Sequence, residues 1–160
     1  MASVQTITPC LWFDRNAEEA VDFYMSVFDD SEVLSLTRYG DSGPGEPGSV
    51  MVMTFRLAGQ EFMALNGGPM FHFTEALSLS VRCADQAEVD HYWTRLSDGG
   101  EEGPCGWLKD RFGLSWQIVP AAVGDMLSSG NAAAVGRFMA AMMQMKKLDI
   151  ATLEAAFHGA

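Results

Sequence analysis

The chain reads as one unit written twice. The helix-patterned run Glu19–Tyr24 (EAVDFY) lies over Glu88–Trp93 (EVDHYW) at an offset of 69 residues, with the aromatic pairs Phe23-Tyr24 and Tyr92-Trp93 in register. The element order around both runs repeats as well, so two copies of one motif account for the pattern. The competing reading is that two helices merely share an amphipathic face. At 160 residues the chain has the size of one domain, with room for two such halves.

In the first copy Thr6–Phe13 is strand-like. Asn16 followed by Glu19 has capping-box spacing and predicts a helix from Ala17 to about Phe28, with Ala20, Val21, Phe23, Tyr24, Val27 and Phe28 at helical spacing. Ser31–Tyr39 reads as a strand and the Gly- and Pro-rich Gly40–Gly48 as a loop. Ser49–Leu57 and Glu61–Leu65 read as a hairpin about Ala58-Gly59-Gln60. In the second copy Ala76–Cys83 alternates as a half-polar strand, and a helix follows from Gln86 to about Leu96. Glu101–Cys105 is a poor strand, and Gly106–Lys109 with Leu114–Val119 forms a hairpin about Asp110–Gly113.

The expected fold class is therefore α+β: two β-α-β-β-β modules, about residues 6–68 and 70–120, forming a curved mixed-sheet cavity in a single domain spanning 1–160. A helical tail covers 121–160, with helices of about Ala132 to Lys146 and Ile150 to Phe157 behind caps at Asn131 and Asp149. Phe138, Met139, Met142, Met143 and Met145 give the tail a broad, adaptable apolar surface that closes over its own sheet or over a partner's.

Ten basic residues against twenty-one acidic ones leave a net charge of −11, which repels phosphate backbones and anionic lipid. Nucleic acid and membrane are excluded as expected partners. The N-terminal MASVQTITPC carries no Lys or Arg ahead of an apolar run, and no stretch is long enough to cross a bilayer. Three cysteines, Cys10, Cys83 and Cys105, form no C-x-x-C pair and suit reduced thiols, so the expected location is cytoplasmic.

The runs Phe13–Tyr24 (FDRNAEEAVDFY), Phe62–Pro69 (FMALNGGP) and above all Cys105–Pro120 (CGWLKDRFGLSWQIVP) resemble the PhnB-like family of the glyoxalase/bleomycin-resistance/extradiol-dioxygenase (vicinal oxygen chelate) superfamily. Similar members often carry the name 3-demethylubiquinone-9 3-methyltransferase. The resemblance covers about Ile7 to Leu153 and implies a glyoxalase-like domain and a homodimer.

It also implies a divalent metal held by His and Glu from the first and last strand of each half. Counting back from the helix openings Asn16 and Asp85 gives Pro9 and Ser78; counting on from the hairpin glycines Gly59 and Gly113 gives Met63 and Gln117. These side chains do not make a first-row divalent site, so no metal and no other cofactor is expected. Adenosylmethionine binding in its common form needs a Gly-rich strand-to-helix turn, and none occurs.

If Ser78 and Gln117 face the concave side, period two sets Ser80, Arg82 and Ser115 beside them, while Pro9, Leu11, Phe13, Met63 and Leu65 make the first half apolar. Such a cavity suits a small amphipathic ligand, with Arg82 as a fork for an anion or, equally, as a solvated strand end. Asn66, Trp107 and Trp116 are further wall candidates, although tryptophans at such places more often belong to the core. His72, near Glu75 between Phe71 and Phe73, is a candidate for the rim with acid or base potential. Lys109 and Asp110 read as solvated turn charges.

No catalytic residue is assigned. The leading expectation is a metal-free protein binding a small molecule; the alternative is an enzyme, either a metal-dependent lyase or dioxygenase or the methyltransferase of the family name.

Overall fold

The computed structural model describes residues 4–160 and divides the chain into two compact units, Met1–His72 and Phe73–Ala160. In the first unit the order is β1 (Cys10–Phe13), α1 (Ala17–Val27), β2 (Ser31–Arg38), β3 (Val50–Leu57) and β4 (Gln60–Asn66). These strands form one mixed sheet in the order β1-β4-β3-β2, with β1 parallel to β4 and the remaining pairs antiparallel. In the second unit β5 (Ser78–Cys83), α2 (Gln86–Ser97), β6 (Glu101–Glu102), β7 (Trp107–Lys109) and β8 (Ser115–Pro120) repeat this plan as β5-β8-β7-β6, again with the outer parallel pair. Identical strand order and pairing sense in both units explain the repeat at 69 residues: it is a repeat of topology, beyond a shared helix pattern.

In each unit the helix covers one sheet face. Ala17, Ala20, Val21, Tyr24 and Val27 of α1 are buried with Leu11, Phe13, Phe55, Phe62 and Ala64. Burying each large side chain contributes about 1.5–3 kcal/mol, enough for such a face to fix strand register. Val89, Trp93 and Leu96 of α2 are buried in the second unit, as are Leu108, Trp116 and Ile118.

Several expectations are corrected. The strand expected over Thr6–Phe13 shortens to β1, because Pro9 accepts from the Met63 N–H but has no N–H to give back. Asn16 occupies the cap position of α1 without a capping side-chain bond; Asn66 Oδ1 accepts the Ala17 N–H instead, at 2.9 Å. The β3–β4 hairpin turns on two residues rather than three, Ala58 (φ 48°) and Gly59 (φ 82°), with Gln60 already paired to Leu57. Pairing Cys10 with Met63 and Trp12 with Leu65 puts Cys10 and Trp12 on the uncovered face, whereas Leu11 and Phe13 are buried on the α1 side. Against the expected apolar face, β1 is therefore one residue out of step, while Met63 and Leu65 of β4 lie on the uncovered face.

The tail holds three helices, α3 (Ala121–Leu127), α4 (Ala132–Met142) and α5 (Ile150–His158), of which α3 was not anticipated. Its N-cap is Pro120, with no capping side chain and a glycine inside, so it lacks a start signal. The capping side chains of Asn131 and Asp149 accept from the N–H groups of Ala134 and Thr152. α4 stops at Met142, short of the expected Lys146, and beyond it the Met145 and Lys146 carbonyls accept from the N–H groups of Cys105 and Gly106, both at 2.8 Å. The tail packs on its own chain around Val123, Met126, Phe138, Leu148 and Leu153, with Gln86 bridging to Leu148 O and the Ile150 N–H. Among the described residues, no helix is long and apolar enough to cross a membrane.

Candidate functional site

The uncovered face of the second sheet is polar, and register dictates why. Ser78 pairs with Ser115, Ser80 with Gln117, Gln117 with Trp107, Ser115 with Lys109, and Lys109 with Glu101, so all of these side chains project to one side. Over part of this face lies a cavity of about 470 Å³ lined by Glu75, Glu101, Cys105, Trp107, Lys109 and Ser115, together with Glu102, Gly103, Pro104 and Leu108.

Ser115 is the anomaly. The residue is 1% exposed, and its Oγ is the one buried side-chain nitrogen or oxygen among the described residues without a hydrogen-bond partner. Buried hydroxyls are nearly always paired, so an orphan facing a cavity marks a place where something else supplies the partner. Beside it Lys109 forms an ion pair with Glu75. The hydrogen bond with Glu75 raises the Lys109 pKa, and the bond from Lys109 lowers that of Glu75, so both stay charged across the neutral range.

Cys105 sits at the rim with φ 57°, a left-handed conformation costing a side-chain-bearing residue about 1–2 kcal/mol. Its own N–H and that of Gly106, donated to Met145 O and Lys146 O, hold it there, and Gly106 O accepts the Ile118 N–H at 2.8 Å, tying the turn to β8. Its Sγ lies 3.6 Å from Met143 Sδ. Cys83, by contrast, is buried, and burial pushes its thiol up to about 12.

Of the remaining sequence candidates, Ser78 accepts from Gln117 Nε2 at 2.9 Å, so that pair is mutually satisfied. Ser80 and Arg82 are exposed and do not line the cavity. Trp116 is corrected: it is 2% exposed on the α2 side and donates to Asp110 Oδ2. Asp110 is not a solvated turn charge either; it is 3% exposed and also accepts the N–H groups of Phe112 and Leu114. His72 is exposed and lines neither this cavity nor the other one described below.

Met63 is half-buried on the uncovered face of the first sheet beside Cys10, whose pKa burial raises. Asn66 lines a second cavity, of about 560 Å³, in the first unit, with Arg15, Glu18, Arg38 and Tyr39. Its side chain is fully committed there: it accepts from Ala17 and donates to Glu18 Oε1 and Val50 O, while Tyr39 donates to its carbonyl. Among the described residues that cavity holds no buried side-chain nitrogen or oxygen without a partner.

Sequence reasoning missed Glu75, Glu101, Glu102 and Cys105 as cavity residues. The only available signal was the period-two alternation that puts Glu101, Trp107 and Lys109 on one side, and it is too short on β6 and β7 to read.

The superfamily's divalent metal does not fit. Register replaces Pro9 by Cys10 opposite Met63, and the second-half positions are a hydroxyl and an amide bonded to each other. No group of three His, Cys, Asp or Glu among the described residues could hold a metal ion. The methyl donor implied by the family name fits no better: the β1–α1 and β5–α2 junctions, Asp14-Arg15-Asn16 and Ala84-Asp85, contain no glycine to bring backbone against a nucleotide.

A family model for 3-demethylubiquinone-9 3-methyltransferase matches residues 5–119. The PhnB protein of Bacillus cereus is 41% identical, with a TM-score of 0.66 over 73% of this chain and 100% of its own. Protein PA1353 of Pseudomonas aeruginosa (22% identity, TM-score 0.61, 74% and 98% covered) shares the fold. So does the fosfomycin resistance protein FosX of Mesorhizobium loti (14%, 0.55, 80% and 98%). No curated protein matches the sequence. Strand order, repeat and matched length agree: the chain has the glyoxalase-like fold and belongs to the PhnB-like 3-demethylubiquinone-9 3-methyltransferase family.

Proposed function

We propose that this protein binds a small amphipathic molecule in the cavity of the second unit, without a metal, as a cytoplasmic homodimer. The observation that carries the reading is the orphan Ser115 hydroxyl in a cavity walled by Trp107 and Pro104 and edged by charged groups. Apolar walls with a few placed polar groups are the usual form of a ligand site, and the volume suits a molecule of a few rings. Dimerisation is supported by the sheet edge β2, where Val33, Leu34 and Leu36 are about 40% exposed along a strand with one free side. A cytoplasmic setting suits three free thiols.

Titration of the full chain with 2-phenylethanol, followed in ¹H–¹⁵N spectra, is expected to move the Trp107 indole and Ser115 amide signals. Ser115→Met, read at the Trp107 indole, and Trp107→Ala, read at the Ser115 amide, are each expected to abolish or weaken those shifts. Absence of shifts, or shifts spread evenly over the surface, overturns the reading. Sedimentation velocity tests the dimer: a monomer at micromolar concentration overturns it, and Leu36→Lys is expected to dissociate it.

A further inference from the structure

We infer that the ligand of the Ser115 cavity is an organic cation, an ammonium or amidinium carried on an apolar or aromatic body; this rests on the binding reading above. The cavity face presents two carboxylates, Glu75 and Glu101, against the single ammonium of Lys109. Glu75 is already engaged with Lys109, while Glu102, opposite Leu108 in the ladder, turns to the α2 side and accepts from Trp93 Nε1 at 3.0 Å. Glu101 stands opposite Lys109 in the β6–β7 ladder and makes no ion pair among the described residues.

The charge of the wall is therefore a surplus carboxylate at the mouth, with the lysine neutralised. An acidic edge alone would be an ordinary solvated surface. Here it frames an independent sign of a ligand, the buried and unpartnered Ser115 Oγ on the same face of the sheet.

The arrangement sorts ligands by chemistry. A cation paired with Glu101 places its body against the Trp107 ring, where the aromatic face adds attraction, and leaves a polar atom for the Ser115 hydroxyl. An anionic ligand would have to displace Glu75 from Lys109 and would still face Glu101. Arg82, the cation that an anionic ligand would need, is exposed and lines no part of the cavity. The chain's charge of −11 acts in the same direction at longer range.

The experiment compares three probes of matched size on the full chain: 2-phenylethylammonium, 2-phenylethanol and phenylacetate, each followed through the Trp107 indole and Ser115 amide resonances. The expected order of affinity is ammonium, alcohol, carboxylate, with the cation at least about tenfold ahead of the anion. Glu101→Gln is expected to weaken the ammonium about threefold to tenfold and to leave the alcohol unchanged. Glu154→Gln, which removes the same charge from α5 outside the cavity lining, is expected to change neither, and so separates the local carboxylate from the general field.

Equal binding of alcohol and ammonium, tighter binding of phenylacetate, or an undiminished cation preference in Glu101→Gln overturns the cation assignment and leaves the binding site standing. If none of the three probes moves the two resonances, the binding reading falls with it.

Discussion

Replacing Ser115 by alanine is expected to stabilise the protein while weakening its hold on a ligand. Alanine deletes one oxygen atom that is buried and has no partner, and a buried polar group in that state costs about 1–3 kcal/mol. Against this stands the small void left by the oxygen, worth a fraction of that cost at a site already beside a cavity. The net expectation is a gain of about 1 kcal/mol, which in a chain of this size raises Tm by about 2–4 °C. Urea unfolding followed by far-ultraviolet circular dichroism, on the full chain without ligand, measures it as a higher midpoint at unchanged slope. In parallel, loss of one neutral hydrogen bond should weaken 2-phenylethanol about twofold to tenfold. A variant less stable than wild type by about 1 kcal/mol would falsify the argument, because the hydroxyl would then be paired in the free protein.

Three further outcomes follow from the same contacts. Asp110→Asn leaves an amide where a buried carboxylate takes three N–H bonds, one from Trp116; a loss of about 2–4 kcal/mol is expected in chemical denaturation, and unchanged stability would contradict the network. Ala58→Asn, at a left-handed position in an exposed turn, should stabilise by about 0.5–1 kcal/mol, whereas Gly59→Ala at φ 82° should destabilise; equal effects would mean the turn is not of the paired left-handed type. Finally, the bond from the Thr152 N–H lowers the pKa of Asp149, and the bond from Lys147 lowers that of Asp90. Carboxyls held below their unfolded values stabilise at neutral pH and lose that contribution as pH falls through the folded pKa. Amide protection in α5 should therefore drop from about pH 4 downward, and Asp149→Asn, which keeps the cap acceptor, should flatten the drop. Protection unchanged between neutral pH and pH 3 in wild type would remove the basis for it.

What the sequence made legible was whatever local pattern decides. The helices α1 and α2 follow from spacing of buried positions, and the caps of α4 and α5 from Asn131 and Asp149, whose side chains bond where expected. The two modules follow from their repeated order. Asn66 capping α1 was not legible, since the helix and its cap are 49 residues apart and meet only because β4 lies parallel to β1. The face of β1 was misread because a four-residue strand after a proline offers no period to count. Asp110 was misjudged for a related reason: a charged residue between two strands is ordinarily solvated, and nothing nearby in sequence announces that Trp116 will need an acceptor.

The candidate site shows the same division more sharply. Ser115 and Trp107 are on the expected face by alternation alone, yet the cavity they line is closed by a turn whose conformation is set elsewhere. Cys105 adopts φ 57° because Met145 and Lys146 accept its N–H and that of Gly106, and because Leu148 packs within contact of Gly106. These tail residues lie beyond Val119, where the family match ends. The sheet that presents the site is thus the family's, while the segment that holds the Cys105 turn belongs to a region the family model does not cover. A strained turn held by two backbone bonds and one apolar contact is a sensitive joint, since losing either support lets the residue leave the left-handed region and release about 1–2 kcal/mol of strain. Ligand preference in this chain should accordingly respond to residues 145–148 as strongly as to the wall itself, and Leu148→Ala, remote from any ligand contact, should shift probe affinity along with stability. A variant that loses stability but binds 2-phenylethanol as wild type does would show that the rim holds its shape without the tail.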